Sequence, residues 1–189
     1  MVFSRVACML TAVALMAATN VFADPAADQV SRSNAATNLF MEFCIKSNGD
    51  YNQLRGIAAQ HHLLLVSPEF APRFLAGKAG RVWGATSSLG EFVIIGTEDN
   101  SCQIWARRAD AETSIQHFNR IISGVARPGL VVRRYKDDPL ETKDGTYRMI
   151  VYMMRREDQE VGMLASIIAS QSSTAAVQVR LKLAPAADR

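Results

Sequence analysis

The chain has three histidines, His61, His62 and His117, and imidazole is the side chain most often used as a general base or metal ligand near neutral pH. His61 and His62 are adjacent, and neighbouring residues of a helix project in different directions. No His-x-x-x-His pair exists, so a metal site here would need completion by Glu42 or Glu69. Their place at the end of an apolar-periodic run points instead to a helix C-terminus, where imidazole meets free carbonyls and the second residue turns the chain. His117 falls opposite the stripe Ile115, Phe118 and Ile122, on the solvated side of a helix.

Other residue groups that could carry chemistry resolve into local structure. No Gly-x-Ser-x-Gly elbow occurs, so the serines near 86–88 and 170–173 read as loop or strand surface. Gly77-Lys78-Ala79-Gly80 has two residues between its glycines where a phosphate-binding loop needs four, and a strand pattern follows it, which predicts a tight turn. Asp137-Asp138 precedes Pro139, a turn composition that accounts for the paired carboxylates without glycosidase work. These motifs assign no catalytic residue, metal ligand set or cofactor.

The N-terminus has the pattern of a cleaved secretory signal: Arg5, an apolar run from Val6 to about Met16, and Val21-Phe22-Ala23 before Asp24-Pro25. Cleavage near Ala23 predicts a periplasmic or secreted protein. Thr11, Thr19 and Asn20 interrupt the run, unlike a retained anchor, and no later segment is apolar enough to span a bilayer. Loss of residues 1–23 removes Arg5 and no acid, leaving 20 basic against 18 acidic side chains, a formal charge of +2. Arg133-Arg134 is offset by Asp137-Asp138, and Arg155-Arg156 by Glu157-Asp158, so no basic stripe for nucleic acid is expected. Cys8 leaves with the signal. Cys44 and Cys102 remain, an even pair in an oxidising compartment with no Cys-x-x-Cys, and a structural disulfide is expected.

The elements that must position these residues follow from periodicity. Residues 24–33 read as a polar, mobile lead-in, and a single domain is expected over 34–185. Ser33 or Asn34 would cap a helix with Ala36, Leu39, Phe40 and Phe43 on one face and Cys44 at its edge. Asp50 would cap a second helix to about His61, making a helical hairpin, and Pro68 would open a short helix through Leu75. The period then changes to two over 81–86, 91–97 and 101–107, a three-stranded meander. Asp110 caps a helix ended by Gly124. Strands are expected at 130–136, 146–155 and 176–183, while 161–170 fits strand or helix. The fold class expected is α+β, with an antiparallel sheet, the helical hairpin and one further helix packed on it, and a single disulfide.

One surface stands out in this arrangement. With Cys102 and Ile104 facing the core, Gln103, Trp105 and Arg107 share the other side of their strand. Arg81 and Trp83 join them either in a Trp-Arg interaction patch, the composition of binding hot spots, or under the second set of strands, which would cover this face and bury both rings. The patch favours a non-enzymatic binding module for an envelope protein or a small ligand. The alternatives are an envelope hydrolase using a His general base, and a carrier of an apolar ligand between helices and sheet, the latter suggested by Met149, Met153 and Met154.

Phe40-x-x-x-Cys44, Gly77-x-x-Gly80-x-x-Trp83 and Cys102-x-x-Trp-Ala-Arg-Arg-Ala-Asp110 resemble, in their order over residues 38–124, a group of small secreted proteobacterial proteins of uncharacterised activity. The resemblance implies a bacterial envelope protein and carries over no site residue.

Overall fold

The computed structural model describes residues 25–143 and 145–186. The signal pattern at 1–23 lies outside them. Helix α1, Pro25–Leu39, continues into a π-helical turn, Phe40–Ile45. Then come α2 (Tyr51–Gln60), a two-residue strand β1 (Leu64–Leu65) and α3 (Pro72–Leu75). Strands β2 (Gly80–Ser87), β3 (Gly90–Thr97) and β4 (Ser101–Ala106) form the meander. Helix α4, Ala111–Gly124, leads to β5 (Leu130–Thr142), β6 (Gly145–Arg156), β7 (Met163–Ala169) and β8 (Val179–Pro185).

All eight strands form one antiparallel sheet in the order β1-β2-β3-β4-β8-β7-β6-β5. Two meanders therefore meet at β4 and β8, and α4 carries the chain from the middle of the sheet to its far edge. Residues 161–170 resolve as strand, because β7 lies between β6 and β8 and must hydrogen-bond on both sides. No helix among the described residues is long and apolar enough to cross a membrane.

Ile94, Ile104, Leu181, Ile167 and Ile150 lie side by side across five strands and are fully buried. On them pack Phe40 and Phe43 from the α1 end, Leu54 from α2, and Phe118 and Ile122 from α4, with the Phe40 and Phe118 rings 5.9 Å apart. The N-terminal caps of α2 and α4 are those the sequence predicts. The Asp50 carboxylate accepts from the Gln53 N–H at 2.8 Å, and Asp110 from Thr113 N–H at 2.7 Å. His62 ends α2 with φ +51°, the left-handed turn expected of it.

Cys44 and Cys102 form the disulfide, both fully buried, with Cα atoms 5.3 Å apart. The π turn participates directly. Lys46 N–H bonds Met41 C=O at 3.1 Å, five residues back, and Gly49 N–H bonds Cys44 C=O at 3.1 Å.

Three expectations about the elements need correction. Residues 25–33 are helical and belong to α1, and Ser33 lies within the helix, not at its start. Ser33 is fully buried, and its hydroxyl donates to the carbonyls of Gln29 (3.0 Å) and Asp110 (2.9 Å). Docking on the α4 start thus stabilises a segment whose own composition gives it little apolar face. The segment after Pro68 is mostly turns, and helix forms only over Pro72–Leu75.

The third correction concerns Asp137-Asp138-Pro139, which lies inside β5 and not in a turn. Proline is tolerated there because β5 is an edge strand, where a missing N–H removes no ladder bond. A bulge between Arg134 and Lys136, the proline and a run of charges also blunt that edge against pairing with another chain. Asp137 takes two bonds from Arg148 (2.9 and 3.0 Å) and one from Arg134 (3.1 Å), while Asp138 pairs with Lys136 at 3.5 Å. The two carboxylates point to opposite faces and are not an acid–base pair.

Candidate interaction face

Trp83 and Trp105 do not share a face. Trp83 is opposite Ile94 and Ile94 opposite Ile104, whereas Trp105 is opposite Val93 and Val93 opposite Gly84. Residues directly opposed across an antiparallel pair project to the same side. Trp83 is therefore on the helix side with Cys102 and Ile104, only 4% exposed, and Trp105 is on the other. The cause is loop length. Two residues, Ser88 and Leu89, join β2 to β3, but three, Glu98 to Asn100, join β3 to β4, and the last has φ +59°. The odd loop reverses the phase of β4 against β2.

Of the five residues expected in the patch, Trp105 and Gln103 meet, the indole N–H donating to Gln103 Oε1 at 3.2 Å. Arg81 stays with Trp83 on the helix side with its own side chain exposed, and both line a hollow with Arg55 and Leu65. Arg107 lies just past the end of β4, exposed, in a hollow with Arg32, Glu91 and Arg108.

Trp105 has acquired other neighbours. Strand β8 places Arg180 opposite Trp105 and Lys182 opposite Gln103. The Arg180 guanidinium lies 4.6 Å from the Trp105 ring centroid, and Phe74 from α3 meets the indole edge-on at 5.5 Å. Arg180 Nε is buried without a hydrogen-bond partner. Burial pushes the Lys182 ammonium below the ordinary lysine range, the positive charge of Lys78 adds to that, and Asp99 opposes it. Among the described residues neither cation has a carboxylate in ion-pair contact.

The register carries this face outward over β7 and β6: Ile168 beside Arg180, Ser166 beside Lys182, and Met149, Val151 and Met153 beyond them. Helix α3 covers the β2–β3 end, and no helix among the described residues packs on the rest of this side. An antiparallel sheet with one solvated face ordinarily shows polar residues there. Here Leu164, Ile168, Met149 and Met153 are half-buried apolar groups bordering two cations. The polar side of β8 was legible as Gln178, Arg180 and Lys182, but its pairing with β4, some 75 residues earlier, was not.

His61 and His62 end α2, and His117 is half-exposed on α4. His61 packs on Phe43 with ring centroids 5.3 Å apart, and its Nε2 lies 3.6 Å from Glu42. Glu42 is held below the ordinary carboxylate range chiefly by its hydrogen bond from Lys46. Among the described residues, no group of three His, Cys, Asp or Glu side chains is placed to hold a metal ion, and no hydroxyl or thiol hydrogen-bonds a histidine. No protein-family model matches the chain, and a search of curated proteins gives no match.

Proposed function

We propose that the protein is a non-enzymatic binding module of the cell envelope, and that its open sheet face docks an acidic, apolar segment of a partner protein. The observation that carries this reading is Arg180, a cation stacked on Trp105 with a buried, unbonded Nε, next to a half-buried Lys182. Neither cation has a carboxylate in ion-pair contact among the described residues, and an acidic side chain from a partner would supply one as the surface closes. Leu164 and Ile168 supply the apolar border, and Trp with Arg is the pair most enriched in binding hot spots. In this reading α1 and α2 form a helical hairpin that backs the sheet and keeps it rigid.

The envelope assignment rests on the signal pattern at 1–23, the disulfide between Cys44 and Cys102, and the likeness to small secreted proteobacterial proteins. The hydrolase alternative gains no geometric support, since among the described residues no hydroxyl or thiol hydrogen-bonds His61, His62 or His117.

The test is photo-crosslinking in cells from position 105 or 168 on the open face, with position 83 on the helix face as control. Adducts from 105 and 168, lost in R180E/K182E and retained in R81E, are expected. Adducts of equal yield from position 83, or adducts indifferent to charge reversal, would overturn the reading.

A further inference from the structure

The hollow that Arg81 and Trp83 share with α2 is a groove of about 540 Å³ on the helix side of the sheet, at its β1 edge. Its walls face it by their own periodicity. Arg81 and Trp83 are two residues apart on β2, and Leu65 is opposite Trp83, so all three project to one side. Asn52, Arg55, Gly56 and Ala59 fall at i, i+3, i+4 and i+7 of α2, a stripe away from the buried Leu54 and Ala58. Leu63, Leu65 and Trp83 make the lining apolar, Arg55 and Arg81 charge its rim, and no acidic residue lines it. The volume falls in the range of small-molecule sites.

The fold leaves both cations without a role. Arg55 is in the middle of α2 and not in its last turn, so the helix dipole does not call for it. Its guanidinium lies over the Tyr51 ring, 5.6 Å from the centroid, a contact that uses none of its N–H groups. Among the described residues neither Arg55 nor Arg81 has an ion-pair partner. Gly96 brings the two together. Arg81 is directly opposite it, and a Cβ there would lie 2.4 Å from Leu54 Cδ2 and 3.4 Å from the Tyr51 ring, so its absence seats Tyr51, with Arg55 over it, beside Arg81. Gly56 is an independent observation. It lies in the interior of α2, where glycine is less favourable than alanine, yet a Cβ there would meet no atom within 4 Å. Packing does not require that glycine, and its effect is to keep the groove open beside Arg55.

We infer that this groove binds a small organic anion, its apolar body along Gly56, Leu63 and Leu65 and its carboxylate or phosphate between Arg55 and Arg81. Guanidinium forks bind either head group through paired N–H···O bonds. A second copy of this edge would oppose the same arginines, which disfavours a dimer here. The site lies on the opposite side of the sheet from Trp105 and stands independently of the docking face; as a small-molecule site it adds no protein adduct at position 83.

The experiment uses the full mature chain carrying W105F, in which Trp83 is the sole tryptophan and reports on the groove. Emission is followed on titration with 3-phenylpropanoate, 2-phenylethyl phosphate, 3-phenylpropanol and 3-phenylpropylamine, with acetate and inorganic phosphate as head groups alone; calorimetry on the unsubstituted chain gives the stoichiometry. One saturable site per chain for an anionic phenyl probe is expected, tighter than about 1 mM. R55Q/R81Q should weaken it about tenfold or more, as for lost hydrogen bonds to a charged group. Both arginines are exposed, so the far-UV spectrum and thermal midpoint of that variant should not change. G56L keeps both arginines and puts a better helix former at an exposed position, so it should hold or raise the thermal midpoint while filling the groove and abolishing binding. Tighter binding of 3-phenylpropanoate names a carboxylate ligand, and tighter binding of 2-phenylethyl phosphate names a phosphate monoester. Equal binding of the neutral or cationic probe or of a head group alone, indifference to R55Q/R81Q or to G56L, or no saturable uptake would overturn the inference.

Discussion

Asp99 shows how one exposed loop residue can make stability depend on acid. It sits between β3 and β4 and takes hydrogen bonds from Lys78 at 2.6 Å and from the Thr97 hydroxyl. Burial works to raise its pKa, but these bonds and the Lys78 charge prevail and lower it from 3.8 to about 2. A carboxylate depressed on folding stabilises the native state above its unfolded pKa and loses that contribution as pH falls from 3.8 toward 2. Both side chains are about half exposed, 49% for Lys78 and 47% for Asp99, so solvent screening limits the effect. Urea midpoints should show Asp99→Asn less stable at pH 7 by up to about 1 kcal/mol, with a shallower loss between pH 4 and pH 2. Parallel pH curves for the two proteins would contradict this. The pairing itself was not legible in the sequence, because Lys78 and Asp99 meet only when β2 and β3 close their register.

At the scale of elements, the disulfide ties the π turn to the middle of the sheet and closes a loop of 58 residues. In the chain-entropy view such a closure stabilises by about 4 kcal/mol. The double variant C44S/C102S should lose stability of that order in urea and be more readily proteolysed through α1 and α2. A change below about 1 kcal/mol would mean that packing of Phe40, Phe43 and Leu54 alone holds the helices down. Elements with local signals were the legible ones: Asp50 and Asp110 cap because their own next turn supplies the partner N–H. Strands β2, β3 and β4 were legible because their alternation and turn residues lie within one short stretch. Three others depended on distant partners. Residues 25–33 are helical because the start of α4 receives Ser33, β5 runs through Pro139 because among the described residues nothing pairs beyond it, and β7 is a strand because it has a neighbour on each side. No local pattern encodes those conditions.

At the scale of the whole molecule, the order β4-β8 at the centre of the sheet creates the candidate face. It brings Arg180 and Lys182 onto the strand of Trp105 and Gln103, while the three-residue loop before β4 sends Trp83 to the helix side. The placing of Trp105 and Gln103 on one side of β4 was legible in the sequence from strand alternation. The membership of Arg81 and Trp83 was not, because strand alternation fixes faces within a strand but loop parity fixes them between strands. The resulting protein has two differently built faces. One is covered by α1, α2 and α4, with a basic-rimmed groove at one end. The other is open over β6, β7 and β8, with two half-buried cations beside an indole. The most direct measurement of that arrangement is emission quenching in Trp83→Phe, where Trp105 is the sole tryptophan. Iodide should quench it several-fold more efficiently than caesium, because Arg180 and Lys182 draw anions to the ring, and R180E/K182E should reverse the preference. Blue-shifted emission insensitive to both ions, or quenching with no preference for the anion, would contradict an open cationic face.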